Sequence, residues 1–353
     1  MSRLDPSPEN VLVVAPNFKR RLSGVTSTII QLVPVQARML PIATLGPGLP
    51  DDLPKLSWRD LPALWRSPKG RPFRIWHARR NVEMLPGIVM RDLLRMPLKL
   101  VFTSASQRRH TRYTRWLIRR MDAVVATSGR TGAYLHVPHD IVLHGIDTQR
   151  FRPAADPAAA KSSLGLDPAQ RFVGCFGRVR RQKGTDLFVD AMIALLPGRP
   201  GWSALVAGRT TAEHGSFEAG LRAKVDAAGL SERILFVGEH TNIPDWYRAL
   251  DLFVAPQRWE GFGLTPLEAM ASGVPVVASD VGAFPELIDR AEIGTVVPAG
   301  SAEALAEACR PFMDEEARRA AAGAAALDHV RTRFSIEREA EALDRIYARL
   351  WSA

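Results

Sequence analysis

Cysteine is nearly absent from this chain: Cys175 and Cys309 are the only two in 353 residues. They stand far apart, in apolar or helical surroundings. A disulfide framework is therefore excluded, and two buried thiols in a reducing cytoplasm are expected. Neither lies at the spacing of a metal site, and no Asp-x-Asp pair occurs. Long apolar runs are missing too, since none approaches the roughly 18 residues that a membrane span needs. No charged, apolar and cleavage pattern opens the chain, so no signal peptide is expected. Zinc-finger, RNP and basic-zipper patterns are also lacking, and that sets aside nucleic acid as a partner.

Acidic residues are scarce in one half only. Residues 1–150 hold 24 Lys and Arg against 10 Asp and Glu, a net of +14, whereas residues 151–353 hold 23 against 27, a net of −4. The whole excess of +10 thus belongs to the first half. Such asymmetry points that half toward an anionic partner.

Short Val-rich runs alternate with helical patterns along the chain. In the first half, strands are expected at Val11–Pro16, Phe73–His77, Leu98–Thr103 and Ala123–Thr127, with a helix from Val25 to about Leu32. Residues 43–72, rich in Pro, Gly and Trp, read as loop and short helix. His144–Pro153 reads as an interdomain linker. Beyond it, six expected strands begin near 171, 204, 234, 252, 274 and 294, separated by helices, and a helical tail runs over 316–351. That alternation implies parallel sheets covered on both faces. The expected domains are 1–147, 148–334, and a C-terminal helix over 335–353 packing back toward the first.

Two constellations carry chemistry. The loop Gly177-Arg178-Val179-Arg180-Arg181-Gln182-Lys183-Gly184 follows an apolar strand and precedes a helix. Its glycines let backbone approach a ligand, a helix N-terminus favours an anion, and Arg178 and Lys183 supply a planar fork and a point charge. Together these make a diphosphate cradle; a basic surface loop is the plain alternative. The second constellation is Glu260-Gly261-Phe262-Gly263-Leu264-Thr265-Pro266-Leu267-Glu268. Pro266 suits the first turn of a helix. Glu260 then sits in the loop at a strand's carboxyl end, where open α/β sheets bind ligands, and Glu268 lies about one turn into the helix.

The stretch RWEGFGLTPLEAMASGVPVVASDVGAFPELI, with the Gly177–Gly184 loop, the linker HGID and Pro285-Glu286, resembles the donor site of family 4 retaining glycosyltransferases. The resemblance implies an α/β GT-B fold, two Rossmann-like doubly wound domains facing a cleft. It also implies a nucleotide-sugar donor used without a cofactor or an essential metal. By the same resemblance Arg178 and Lys183 bind the diphosphate, Glu260 and the backbone of Gly261, Phe262, Gly263 and Leu264 hold the sugar, and Glu268 holds the ribose. Gly24, with Ser23, takes the place of the family's paired glycines. Ser104-Ala105-Ser106 replaces a common histidine, which leaves His77 and His110 as candidate polar groups of the cleft.

The segments APNFKRRLSGVTSTI, WHARRN and FTSASQRRHTRYTRW look like those of bacterial lipopolysaccharide core mannosyltransferases. That likeness implies GDP-mannose as donor and an inner-core Kdo as acceptor. Lys19, Arg20, Arg21, Arg79 and Arg80 are the candidates to meet the anionic, lipid-linked glycan. A helix is expected over Gln107–Met121, with Arg108, Arg112, Arg115 and Arg119 on one face, which would rest on an anionic membrane surface. The expected location is the inner face of the cytoplasmic membrane. A UDP-hexose donor, another glycan acceptor, and a non-catalytic sugar-nucleotide binder of the same fold remain as alternatives.

Overall fold

The computed structural model describes residues 6–20 and 24–352. The chain divides into two compact units, residues 1–145 with 336–353, and residues 146–335.

The first unit is a seven-stranded parallel sheet. Its strands are β1 (Val13–Pro16), β2 (Ile42–Leu45), β3 (Lys55–Leu56), β4 (Arg74–Ala78), β5 (Leu98–Ser104), β6 (Ala123–Ala126) and β7 (Asp140–Ile141). They lie in the order β3-β2-β1-β4-β5-β6-β7. One face is covered by α1 (Gly24–Gln36), whose buried Ile29, Leu32 and Val33 recur at helical spacing. The last helix of the chain, Ile336–Ser352, packs on the same face through Ile336, Ala340, Leu343 and Tyr347. The other face is covered by α2 (Asn81–Ile88) and α3 (Arg112–Ile118), through Met84, Ile88, Leu117 and Ile118. A short α4 (Gly129–Gly132) follows β6.

Two local readings of the sequence are corrected here. The 43–72 stretch contributes part of β2 and all of β3 to the sheet. All four residues of β2 are buried, so no polar alternation marks it. The helix expected over Gln107–Met121 is confined to Arg112–Ile118, because Thr111 starts it by accepting a hydrogen bond from the Thr114 amide. Arg108 therefore lies off the helix, and Arg119 is its C-terminal cap.

The second unit opens with α5 (Pro157–Ser163). Its strands are β8 (Arg171–Phe176), β9 (Trp202–Ala207), β10 (Ile234–Gly238), β11 (Leu252–Ala255), β12 (Val276–Ser279) and β13 (Gly294–Val297). Between and after them run α6 (Thr185–Leu195), α7 (Gly215–Ala227), α8 (Ile243–Arg248), α9 (Thr265–Ala271), α10 (Phe284–Leu287), α11 (Ala302–Asp314) and α12 (Glu316–Arg333). The parallel sheet has the order β10-β9-β8-β11-β12-β13. The direction of winding reverses between β8 and β11, and the crevice outside the carboxyl ends of those two strands is where such sheets hold ligands. The helical tail is two helices: α12 ends this unit, and α13 (Ile336–Ser352) belongs to the first.

Candidate active site

Two loops meet at that reversal. The loop after β8 runs from Gly177 to Gly184, and the loop after β11 leads through Glu260 into α9. Gly184 has φ +72°, and a Cβ there would stand 1.9 Å from the carbonyl oxygen of Pro256, so only glycine lets the loops approach this closely. Arg258 fastens them. Its guanidinium donates to both carboxylate oxygens of Asp186 at 2.7 and 2.8 Å and to the Arg181 carbonyl at 2.7 Å. Its amide donates to the Gln182 carbonyl at 3.0 Å. The bidentate fork fixes both distance and orientation. Sequence reasoning missed Arg258 and Asp186; the signal lay in opposite charges 72 positions apart, which only the sheet order brings together.

The clamp places Lys183 and Glu260 in a half-buried ion pair. Glu260 Oε1 also accepts from the Gly261 amide at 3.0 Å. Gly263, at φ +87°, packs against the side chains of Phe284 and Glu260, and the Phe262 carbonyl accepts from the Ala283 amide at 3.2 Å. The loop after β12 thereby backs the EGFG turn. Leu264 then starts α9, whose first-turn amides have no acceptor inside the helix. Arg178 is exposed at the mouth of the Gly177 loop and has no hydrogen-bond partner among the described residues.

Glu268 lies within α9, where its Oε2 accepts a 2.8 Å hydrogen bond from the Tyr247 hydroxyl. Burial raises the Glu268 carboxyl above its ordinary range, while the Tyr247 hydroxyl and the charge of Arg150 favour the ionised form. Burial, and then the neighbouring Glu268, hold the Tyr247 hydroxyl protonated. Gly177, Arg178, Lys183, Glu260, Gly261, Phe262, Gly263, Leu264 and Glu268 thus all stand in the second unit, on loops or helix starts at the carboxyl ends of β8 and β11. Among the described residues no group of three or more His, Cys, Asp or Glu has the geometry of a metal site.

The candidates of the first half are placed differently. Gly24 begins α1, and a Cβ there would meet no atom within 4 Å. Lys19 and Arg20 are exposed beyond β1, whereas Arg21 and Ser23 lie outside the described residues. Arg80 is turned inward: it donates to Asn17, Glu83 and Thr26, each at 2.8 Å. Arg79 is buried, with its amide on Glu83 and its guanidinium near the His77 carbonyl. His77 is buried with Nδ1 2.6 Å from the Tyr347 hydroxyl and Nε2 2.7 Å from Thr103 Oγ1. Burial, and then the charge of Arg79, lower its pKa well below the usual value, so the ring is neutral. The side chains of His77 and Arg80 are thus bonded within the first unit, and Arg79 is buried beside them. His110 keeps a buried Nε2 without a partner, and burial followed by Arg108 and His136 lowers its pKa.

The family model described as glycosyl transferases group 1 matches residues 158–329. Over 344 residues the chain is 65% identical to the lipopolysaccharide core biosynthesis mannosyltransferase LpsB of Rhizobium meliloti (strain 1021), covering 97% of this chain and 98% of that one. The chain belongs to the group 1 glycosyl transferases. A second relative, the lipopolysaccharide core biosynthesis mannosyltransferase LpcC of Rhizobium leguminosarum bv. viciae, is 60% identical over 345 residues, 97% of each chain. Among solved structures, Anabaena Alr3699/HepE in complex with UDP superposes with a TM-score of 0.81 at 17% identity, covering 95% of this chain and 99% of that one. The fold is GT-B, as expected from the sequence.

Proposed function

We propose that the chain is a retaining, metal-independent mannosyltransferase that moves mannose from GDP-mannose to an inner-core Kdo residue of lipopolysaccharide. The observation that carries this reading is the clamped pair of loops at the carboxyl ends of β8 and β11. They bring Lys183 and Glu260 into an ion pair at the carboxyl ends of the strands, beside the reversal of strand order where sheets of this kind hold ligands. The end-to-end likeness to two lipopolysaccharide core mannosyltransferases supports the choice of sugar and acceptor.

In this reading Arg178 and Lys183 bind the donor diphosphate. Glu260 and the backbone from Gly261 to Leu264 hold the sugar, and Glu268 holds the ribose. Negative charge develops on the departing diphosphate as the glycosidic bond breaks. Fixed cations and helix amides stabilise that charge where it forms, without reorganising during the step. Lys183 therefore serves two partners, Glu260 when the site is open and phosphate when the donor is bound. Lys19, Arg20 and Arg21 are assigned to the anionic acceptor, to which arginine is suited by its fork geometry. Gly24 remains assigned to donor contact. The basic residues Arg108, Arg112, Arg115 and Arg119 are assigned to the anionic leaflet at the inner face of the cytoplasmic membrane.

The test offers the protein GDP-mannose, UDP-glucose and UDP-galactose in parallel, with extracted core-defective lipopolysaccharide as acceptor. Transfer from GDP-mannose with an α-anomeric product is expected. Transfer from a UDP-hexose alone overturns the donor assignment, and tight nucleotide binding without any transfer overturns catalysis.

A further inference from the structure

Large apolar side chains lie open on one stretch of the first unit. Val82 and Leu85 of α2 and Val89 and Leu93 of the π-helical turn Val89–Leu93 are all exposed, Leu93 to 73%. They recur at i, i+3, i+7 and i+11, the spacing of a single helical stripe. The opposite side of the same helix is buried through Met84, Ile88 and Met90. The stripe is therefore a second apolar face, one that the core does not use. Trp65 extends it, donating its indole N–H to the Leu94 carbonyl at 2.8 Å while its ring stays exposed.

Helix α3 lies alongside. Asn81 donates to Thr114 at 2.7 Å near one end, and Arg91 donates to the Arg120 carbonyl at 2.9 Å near the other. The exposed positions of α3, its C-terminal cap and the residue after it are Arg112, Tyr113, Arg115, Trp116, Arg119 and Arg120. Tyr113 and Trp116 stack with ring centroids 6.4 Å apart, and the Arg120 guanidinium lies 5.0 Å from the Trp116 ring. From residue 79 to 121 there are eleven Lys and Arg and two acids. Of those two, Glu83 is buried, and Asp92 is paired with Arg91 and Arg120. Asp122, just beyond, is paired with Arg91 and Lys99. An exposed apolar stripe beside uncompensated arginines and stacked aromatics marks an interaction surface.

We propose that the α2–α3 surface is a lipid-insertion face. Val82, Leu85, Val89 and Leu93 enter the boundary between headgroups and acyl chains of an anionic bilayer, while the arginines of α3 lie on lipid phosphates. The choice of a bilayer as occupant rests on the lipid-linked acceptor proposed above, and it is supported by charge: a second copy of this chain would bring the same arginines against themselves, which opposes a symmetric contact. Amphipathic helices of this kind lie in the interface plane, with strength set by both buried apolar area and attraction to anionic lipid. Aromatic rings with a polar edge and arginine stems suit the headgroup depth. No helix among the described residues is long and apolar enough to cross a membrane. The insertion is shallow, and it adds a component of attachment that salt does not screen.

The test is sedimentation of the full chain with phosphatidylglycerol-containing and pure phosphatidylcholine vesicles, at low and high salt. Three proteins are compared: the parent, Leu85→Gln/Val89→Gln/Leu93→Gln, and Arg112→Gln/Arg115→Gln/Arg119→Gln. Glutamine keeps helix propensity at these exposed positions. The parent is expected to retain part of its binding to anionic vesicles at high salt. The apolar variant should bind roughly tenfold more weakly at low salt and lose the salt-resistant part. The arginine variant should lose most of the salt-sensitive part. Circular dichroism and binding of guanosine diphosphate are followed in each to show that the fold is kept. Equal vesicle binding by the parent and the apolar variant overturns the insertion. A parent dimer that the apolar variant converts to a monomer, without change in vesicle binding, reassigns the face to self-association and overturns it equally. Vesicle insertion without sugar transfer would sink the proposed activity and leave the insertion standing.

Discussion

The Tyr247 hydroxyl donates a 2.8 Å hydrogen bond to one carboxylate oxygen of Glu268. The ring that carries it is fully buried and wedged among Phe151, Phe176 and Phe253, with centroids 4.8 to 5.8 Å away. The hydroxyl cannot swing away, so Glu268 is held with one oxygen used and its direction set. Tyr247→Phe keeps the ring and removes only the donor. Nucleotide affinity is expected to fall about tenfold, the worth of a hydrogen bond to a charged acceptor, with kcat little changed. Loss of that donor also raises the Glu268 pKa further, so the acid limb of nucleotide binding should move to higher pH. An unmoved limb would deny Tyr247 a positioning role, whereas unchanged affinity in Glu268→Gln would deny Glu268 itself.

Lys183→Ala removes a cation from the proposed cradle and leaves Glu260 without its pair. A charge-assisted phosphate contact contributes on the order of 1.5–3 kcal/mol, so turnover should fall roughly tenfold to a hundredfold. Stopped assays on a variant of normal circular dichroism check this; parent-like kinetics would refute the diphosphate role.

Arg258→Gln breaks the fork on Asp186 at the point where the two loops are joined. The pair is partly exposed, so the cost in stability is expected to be small, on the order of 1 kcal/mol. The effect on the site should be larger, because small displacements of positioned groups are costly. A several-fold rise in KM for the donor at nearly unchanged urea midpoint is the expected pattern. A large fall in the midpoint with an unchanged KM would make Arg258 a structural residue only.

The proposed diphosphate contacts are cations of the chain itself. Turnover is therefore expected to survive excess EDTA. Complete loss, restored by Mg²⁺ or Mn²⁺, would show that the leaving group is stabilised differently.

Tyr347→Phe withdraws the partner of His77 Nδ1 in the middle of the first unit. An unsatisfied buried nitrogen costs about 1–3 kcal/mol, read as a fall in unfolding free energy with unchanged turnover below the transition. His77 is held neutral in the folded chain with its pKa below the unfolded 6.5. The unfolded state thus binds the extra proton first. Stability due to this group is full above about pH 6.5 and is lost as pH falls toward the folded pKa. A loss of turnover at unchanged stability would instead return His77 to the chemistry.

The second unit was largely legible in the sequence, because each strand there is a short apolar run between a helix and a turn, and Gly184, Gly263 and Pro266 punctuate the site. The first unit was harder. β2 is buried on both faces and carries no alternation, and α2 holds Pro86 in its interior, which reads as a break. Arg79, Arg80 and His77 looked available for substrate because sequence shows residue type and not direction. Side-chain bonds to Glu83, Thr103 and Tyr347 turn Arg80 and His77 inward, and Arg79 is buried beside them. Arg258 and Tyr247 were missed for the opposite reason: nothing local distinguishes them, and their work depends on contacts 72 and 21 positions away.

Helix α13 completes the core of the first unit, where Leu343 and Tyr347 pack with Ile29 and Leu32 on the sheet. On the ribosome, that face of the sheet is fully covered only after residue 336 onward has left the exit tunnel. The second unit is continuous from 146 to 335 and meets no such delay. The second unit can thus complete its core before the first, the reverse of the usual N-terminal-first sequence of domain folding. For much of synthesis the half of the chain with the strongest positive charge waits with part of its sheet uncovered.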